Sequence, residues 1–319
     1  MRPPSRPPRP PVGGPVSDHS ERRAHPATMS SSPRPRPQRT LGRAVAVTGR
    51  GYWSGTLVAV TLEPAAADTG VVFVRGDLVP PALIPARVAM RVDAVQRTVL
   101  ARGGVEVQMV EHALSALAAL GVDNCRVHAD AAELPGMDGS AAGFVAAIDS
   151  AGIVDCDATC VPIVVGETIR VEAGGSWIEA GPPRHDGLSI DYELDYGPGP
   201  IGRQRLDIDI TPAAYRTELA AARTFLTLDE AHRLQAAGLG REVSPRDLVV
   251  FGPDGPIDNL LRWPDECVRH KVLDAVGDLA LAGRPLVAHV RASRSGHRLN
   301  AALVEEVLAA AARRDPLSV

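Results

Sequence analysis

Residues 110–130, V-E-H-A-L-S-A-L-A-A-L-G-V-D-N-C-R-V-H-A-D, change period in the middle. Val110–Leu120 carries apolar residues at helical spacing, and Gly121 is a stop signal, since glycine accepts the left-handed backbone on which helices often end. Asn124–Asp130 then reads as a strand. Upstream, A-V-A-V-T-G (44–49), T-L-V-A-V-T-L-E-P (56–64) and G-V-V-F-V-R (70–75) are short alternating runs separated by Gly, Pro and Asp, the signature of strands. Downstream, Ser140–Ala151 predicts a second helix closed by Gly152.

The same sequence of signals then begins again. Pro162–Ala173, Ser176–Gly181, Leu188–Tyr196 and Gln204–Ile210 read as strands, followed by helices at about Leu228–Ala237, Pro264–Leu281 and Leu299–Arg313. Two successive α+β domains of similar size, 41–158 and 159–319, are expected. Residues 1–40, rich in Pro, Arg and Ser, cannot supply a core and are expected to be a solvated tail, or a misplaced start with Met29 as the true one.

Composition narrows the function classes. Of 319 residues, 45% are hydrophobic and 23% charged, as in ordinary globular proteins, and aromatics at 3% leave an aliphatic core. A net charge of −4 argues against nucleic-acid binding through bulk electrostatics. The four cysteines make no paired metal-binding spacing, and Cys156 with Cys160 is a lone C-x3-C, so reduced thiols in a cytoplasmic protein are expected. No export signal or membrane span is read from the sequence. Lys271 is the lone lysine among 34 basic residues. A coding bias towards arginine explains the pattern; a place where a compact ammonium works and a planar guanidinium does not explains the exception.

Three motifs carry candidate chemistry. In D-E-C-V-R-H-K-V-L-D-A-V-G-D-L (265–279), His270, Asp274 and Asp278 stand four apart and share one helix face. An imidazole and a carboxylate so placed can grip a metal, although an exposed helix with i,i+4 polar pairs has the same spacing. Glu111-His112 adds a third possible ligand and an adjacent carboxylate, the inventory of a catalytic zinc site with one position open for water. S-G-H-R-L-N (295–300) sets His297 after a glycine turn, as a proton donor or as an ordinary surface histidine.

Taken with E-L-P-G-M-D-G-S-A (133–141) and A-R-T-F (222–225), these motifs in this order resemble the UDP-3-O-acyl-N-acetylglucosamine deacetylase family of lipid A biosynthesis, over about residues 43–310. The resemblance implies a two-domain α+β fold, each domain a helix pair against sheets, with the active site at their interface. It implies zinc on His112, His270 and Asp274, a set of two His and one carboxylate that would also fit iron(II); Glu111 as general base; and His297 as partner acid against Asp278. Thr224 and Lys271 are then near the oxyanion, Phe225 beside the substrate and Arg294 near the diphosphate. The implied partner is a small-molecule UDP-acyl-amino-sugar, met by a monomer without nucleic acid.

Three departures bear on substrate choice. Trp53, in G-R-G-Y-W-S-G, stands where the family reads histidine. Arg241-Glu242-Val243-Ser244 replaces a glycine-rich segment of the acyl-chain passage, and Arg294 stands where lysine is common. They leave open a zinc amidase acting on a different N-acetyl sugar, while the Arg/Pro tail suggests a non-catalytic binding homologue.

Overall fold

The computed structural model describes residues 35–245 and 247–314. Most of the 1–40 tail and Met29 lie outside these residues. The expectation that the tail reaches residue 40 is corrected: Arg36–Leu41 is a strand, paired antiparallel with Ile153–Cys160. Composition hides this pairing because Pro37 lacks an N–H, but the ladder shifts register between Pro37 and Arg39, and prolines are tolerated at such irregular edges. Arg36 also finds a bidentate partner in Asp123, at 2.6 and 2.9 Å.

Two five-strand arrays repeat one plan. The first runs, in spatial order, Val45–Arg50, Leu57–Pro64, Cys125–Ala129, Val71–Arg75, Ala82–Pro85. The second runs Ile169–Ala173, Ser176–Gly181, Leu286–Ser293, Leu188–Asp195, Arg203–Asp209, with Ile163–Val164 added beside Leu286–Ser293. In both, the middle strand is antiparallel to the one before it in spatial order and parallel to the one after. In both, four strands come first in sequence and a small three-stranded sheet is inserted. A helix, the middle strand and a second helix follow. This is the expected α+β fold of two similar halves.

The helices, in chain order, are α1 (Glu111–Ala119), α2 (Ala142–Ala151), α3 (Pro212–Ala214), α4 (Leu228–Ala236), α5 (Glu266–Leu279) and α6 (His297–Arg314). Helices α1 and α5 pack against each other at the centre, where Ala113, Ala116, Val272 and Ala275 are fully buried. Gly277 sets how closely they approach: a methyl group there would fall 2.1 Å from the Glu111 carbonyl oxygen. Below that crossing, the Ser115 hydroxyl donates to the Leu273 carbonyl at 2.8 Å and accepts from the Tyr215 hydroxyl at 2.8 Å. The close approach brings the first turn of α1 beside the polar stripe of α5. Among the described residues, no helix is long and apolar enough to cross a membrane.

Candidate active site

The polar stripe of α5 and the start of α1 meet at one end of a cavity of about 620 Å³. His112, His270 and Asp274 are buried there with ligand atoms within 4.8 Å of one another. His112 Nε2 lies 3.7 Å and His270 Nε2 3.4 Å from Asp274 Oδ1, and the two rings stand edge to face at 86°. His270 Nδ1 faces the Ala222 carbonyl at 3.1 Å; a proton donated there leaves Nε2 as the lone-pair nitrogen towards the cluster.

For His270 and Asp274 the electrostatics favour the unprotonated forms that a metal ligand needs. Burial, above all, pushes His270 down to about 3, against the opposing pull of Asp274. For Asp274, burial favours the neutral acid, but His270, Lys271 and the His112 hydrogen bond outweigh it and hold the carboxyl well below its usual value. Lys271 donates to Asp274 Oδ2 at 2.7 Å, and this pairing keeps its ammonium charged despite burial.

Glu111, also buried, lines the same space. Desolvation raises its carboxyl above the ordinary range, with His297 and His112 opposing and Asp274 and Asp278 assisting, which makes it a stronger proton acceptor than an exposed glutamate. Across the cavity, His297 Nδ1 donates to Asp278 Oδ2 at 2.9 Å. Burial alone would lower His297, but Asp278, followed by Asp274 and Glu111, pushes it up to about 9, so it is an imidazolium at neutral pH. A buried carboxyl with raised proton affinity and a charged imidazolium thus lie beside the His112/His270/Asp274 cluster.

Every site residue expected from sequence falls at this place. Glu111, His112, Thr224, Phe225, His270, Lys271, Asp274, Arg294 and His297 all line the cavity, and Asp278 sits behind His297. The Thr224 hydroxyl is 3.2 Å from His270 Nε2 and 3.1 Å from the Gly139 carbonyl. Phe225 is buried edge-on to His270, with the Lys271 ammonium 5.9 Å from its ring centre. Arg294 is exposed at the rim, its guanidinium donating to Gly175 O at 2.7 Å. Its left-handed φ of 53° turns the chain from the middle strand into α6.

Away from the polar end the cavity becomes an apolar arm, walled by Leu226, Leu228, Leu234, Leu239, Val243 and Ile257. Helix α4 forms one side and is anchored by a capping box, Thr227 and Glu230 each accepting from the other's backbone N–H. The 241–244 departure therefore leaves an apolar passage, with Val243 facing in. Trp53 also lines the cavity; its indole N–H donates to Met109 Sδ at 3.2 Å, and the Arg97 guanidinium stacks 4.5 Å from its ring centre.

Sequence reasoning missed the residues that hold this set in place. Arg223 makes a buried, bidentate ion pair with Glu266, 2.7 and 3.0 Å, joining the segment that carries Thr224 and Phe225 to the start of α5. Glu133 accepts the amides of Trp53 and Ser54 at 2.7 and 2.8 Å, fixing the wall loop. Both lie inside quoted motifs, and a buried charge in need of a partner was the available signal. Thr98 and Asn300 also bind Asp278, and no local pattern marks Thr98.

A family model described as UDP-3-O-acyl N-acetylglycosamine deacetylase matches residues 38–309. Proteins named UDP-3-O-acyl-N-acetylglucosamine deacetylase from Brucella ovis, Brucella melitensis and Brucella abortus are each 42% identical to this chain over 273 residues, covering 85% of it and 95% of the relative. With matches over nearly the whole described chain and a buried cluster able to hold a metal, this chain belongs to the UDP-3-O-acyl N-acetylglycosamine deacetylase family.

Proposed function

We propose that the chain hydrolyses the N-acetyl group of UDP-3-O-(3-hydroxyacyl)-N-acetylglucosamine, releasing acetate, as a zinc-dependent step of lipid A biosynthesis. The observation that carries this reading is the single cavity that joins a buried His112/His270/Asp274 cluster, flanked by a proton acceptor and a proton donor, to an apolar arm. Two imidazoles and one carboxylate fit zinc with a position open for water, and fit iron(II) as well. When bound, the metal supplies Lewis acidity, lowering the pKa of water and polarising the amide carbonyl.

The chain's own residues supply the rest. Glu111 takes a proton from the attacking water, which its raised basicity favours. As the carbonyl carbon becomes tetrahedral, negative charge grows on its oxygen, where the Lys271 ammonium and the Thr224 hydroxyl stabilise it in a site shielded from water. His297, charged and held by Asp278, protonates the amine as it leaves. Phe225 packs beside the sugar, and Arg294 at the rim faces the diphosphate, for which a guanidinium is well suited.

The apolar arm favours an acylated sugar over a plain N-acetyl sugar, because its leucines would otherwise enclose nothing apolar. A nucleotide-sugar substrate supports a cytoplasmic location. Glu111→Ala tests the mechanism: turnover falls by on the order of 10²–10⁴ while bound zinc, measured by atomic absorption, stays at wild-type stoichiometry. Activity near wild type would remove Glu111 from the proton-acceptor role.

A further inference from the structure

We propose that Thr98 is a positioning residue for the proton donor, its hydroxyl holding Asp278 in the orientation that aims His297. Thr98 is fully buried in the segment between strands Arg91–Val92 and Val99–Arg102 of the N-terminal half. Its hydroxyl donates to Asp278 Oδ1 on α5 at 2.6 Å, across 180 residues of sequence. The other oxygen, Oδ2, accepts from His297 Nδ1 at 2.9 Å and Asn300 Nδ2 at 2.8 Å.

The carboxylate is therefore held by three donors divided between its two oxygens, and Thr98 is the donor to Oδ1. Asp278 is 1% exposed, so water cannot readily replace that donor. With the hydroxyl gone, Oδ1 is a buried charged oxygen without its partner, and the carboxylate gains by turning towards the remaining donors. That rotation misaligns Oδ2 with His297. The Thr98 amide separately donates to Glu111 Oε2 at 3.1 Å, so one residue of the N-terminal half touches both arms of the proton-transfer pair.

The two contacts separate cleanly by mutation, since Thr98→Val removes the hydroxyl and keeps both the shape and the amide. The inference rests on the reading above that His297 acts as proton donor, and the experiment distinguishes the two. Acetate release from the UDP-3-O-acyl sugar is measured for wild type, Thr98→Val, Thr98→Ser, His297→Ala and Thr98→Val/His297→Ala, each zinc-loaded. The expected result is a kcat lowered at least tenfold in Thr98→Val, with KM and zinc content within twofold of wild type. Activity should be recovered in Thr98→Ser, and Thr98→Val should cause no further loss in the His297→Ala background.

A kcat within twofold of wild type in Thr98→Val, or an equal fractional loss in both backgrounds, overturns the inference and leaves the His297 reading standing. An unimpaired His297→Ala overturns that reading and the inference with it. Should Thr98→Val not fold, Thr98→Ala replaces it in the same scheme.

Discussion

Helices α1 and α5 occupy equivalent places in the two halves, each leading into the middle strand of its sheet, yet they carry unequal shares of the chemistry. Helix α1 presents Glu111 and His112 to the cavity from its first turn and is then buried and apolar but for Ser115 and the exposed margin at Ala118. Helix α5 presents His270, Lys271 and Asp274, with Asp278 behind, a polar stripe that runs nearly its whole length. The same asymmetry holds for the second helices: α6 opens with His297, and α2 has no titratable residue until Asp149. A repeated scaffold lets one half keep its helix as core while the other gives up apolar burial to build a site. The first half then completes that site with the first turn of α1, joined by Trp53 in the cavity wall and Thr98 beside Asp278.

The comparison breaks most visibly at the proton donor. If the C-terminal half alone sets His297, Asp278→Asn should remove the main influence that raises it. In wild type His297 is raised from 6.5 to about 9, so its protonated form, and the donor activity that depends on it, is lost as pH rises through about 9. The stability it contributes has the same sign, complete below about 6.5 and lost towards about 9. In Asp278→Asn the basic limb of kcat should move to about 6.5 or below, and turnover at pH 8 should fall by on the order of 10². An unmoved limb would assign that limb to another group.

A smaller effect sharpens the point at Lys271. Its ammonium is 2.7 Å from Asp274 Oδ2 and half-buried beside Phe225, a space shaped for a compact charge. Lys271→Arg keeps the charge and changes its shape, so kcat/KM should fall by about tenfold, or about 1.4 kcal/mol of transition-state stabilisation. Equal activity would make the lone lysine an accident of composition.

The sequence made the C-terminal share of the site readable because a helix converts four-residue spacing into a common face, which fixes His270, Asp274 and Asp278 without tertiary information. Glu111-His112 is two adjacent letters and gains meaning only when something across the fold faces it. Thr98 was unreadable for a further reason: its contacts are a backbone amide and a hydroxyl reaching 180 residues away, neither of which leaves a periodic trace. Helices and most long strands were anticipated, but Arg36–Leu41 was hidden by its prolines. The shared topology was equally hidden, because parallel pairing of Cys125–Ala129 with Val71–Arg75, or of Leu286–Ser293 with Leu188–Asp195, joins strands that are not neighbours in sequence.

The central claim is that one cavity serves both an amide hydrolysis at its polar end and an acyl chain in its apolar arm. Acetate release by the purified, zinc-loaded protein, from the UDP-3-O-acyl sugar and from UDP-N-acetylglucosamine in parallel, tests it most directly. The account predicts strong preference for the acylated substrate. Equal turnover of the two would contradict the role of the arm, and no release from the acylated sugar by fully loaded protein would contradict the reaction itself.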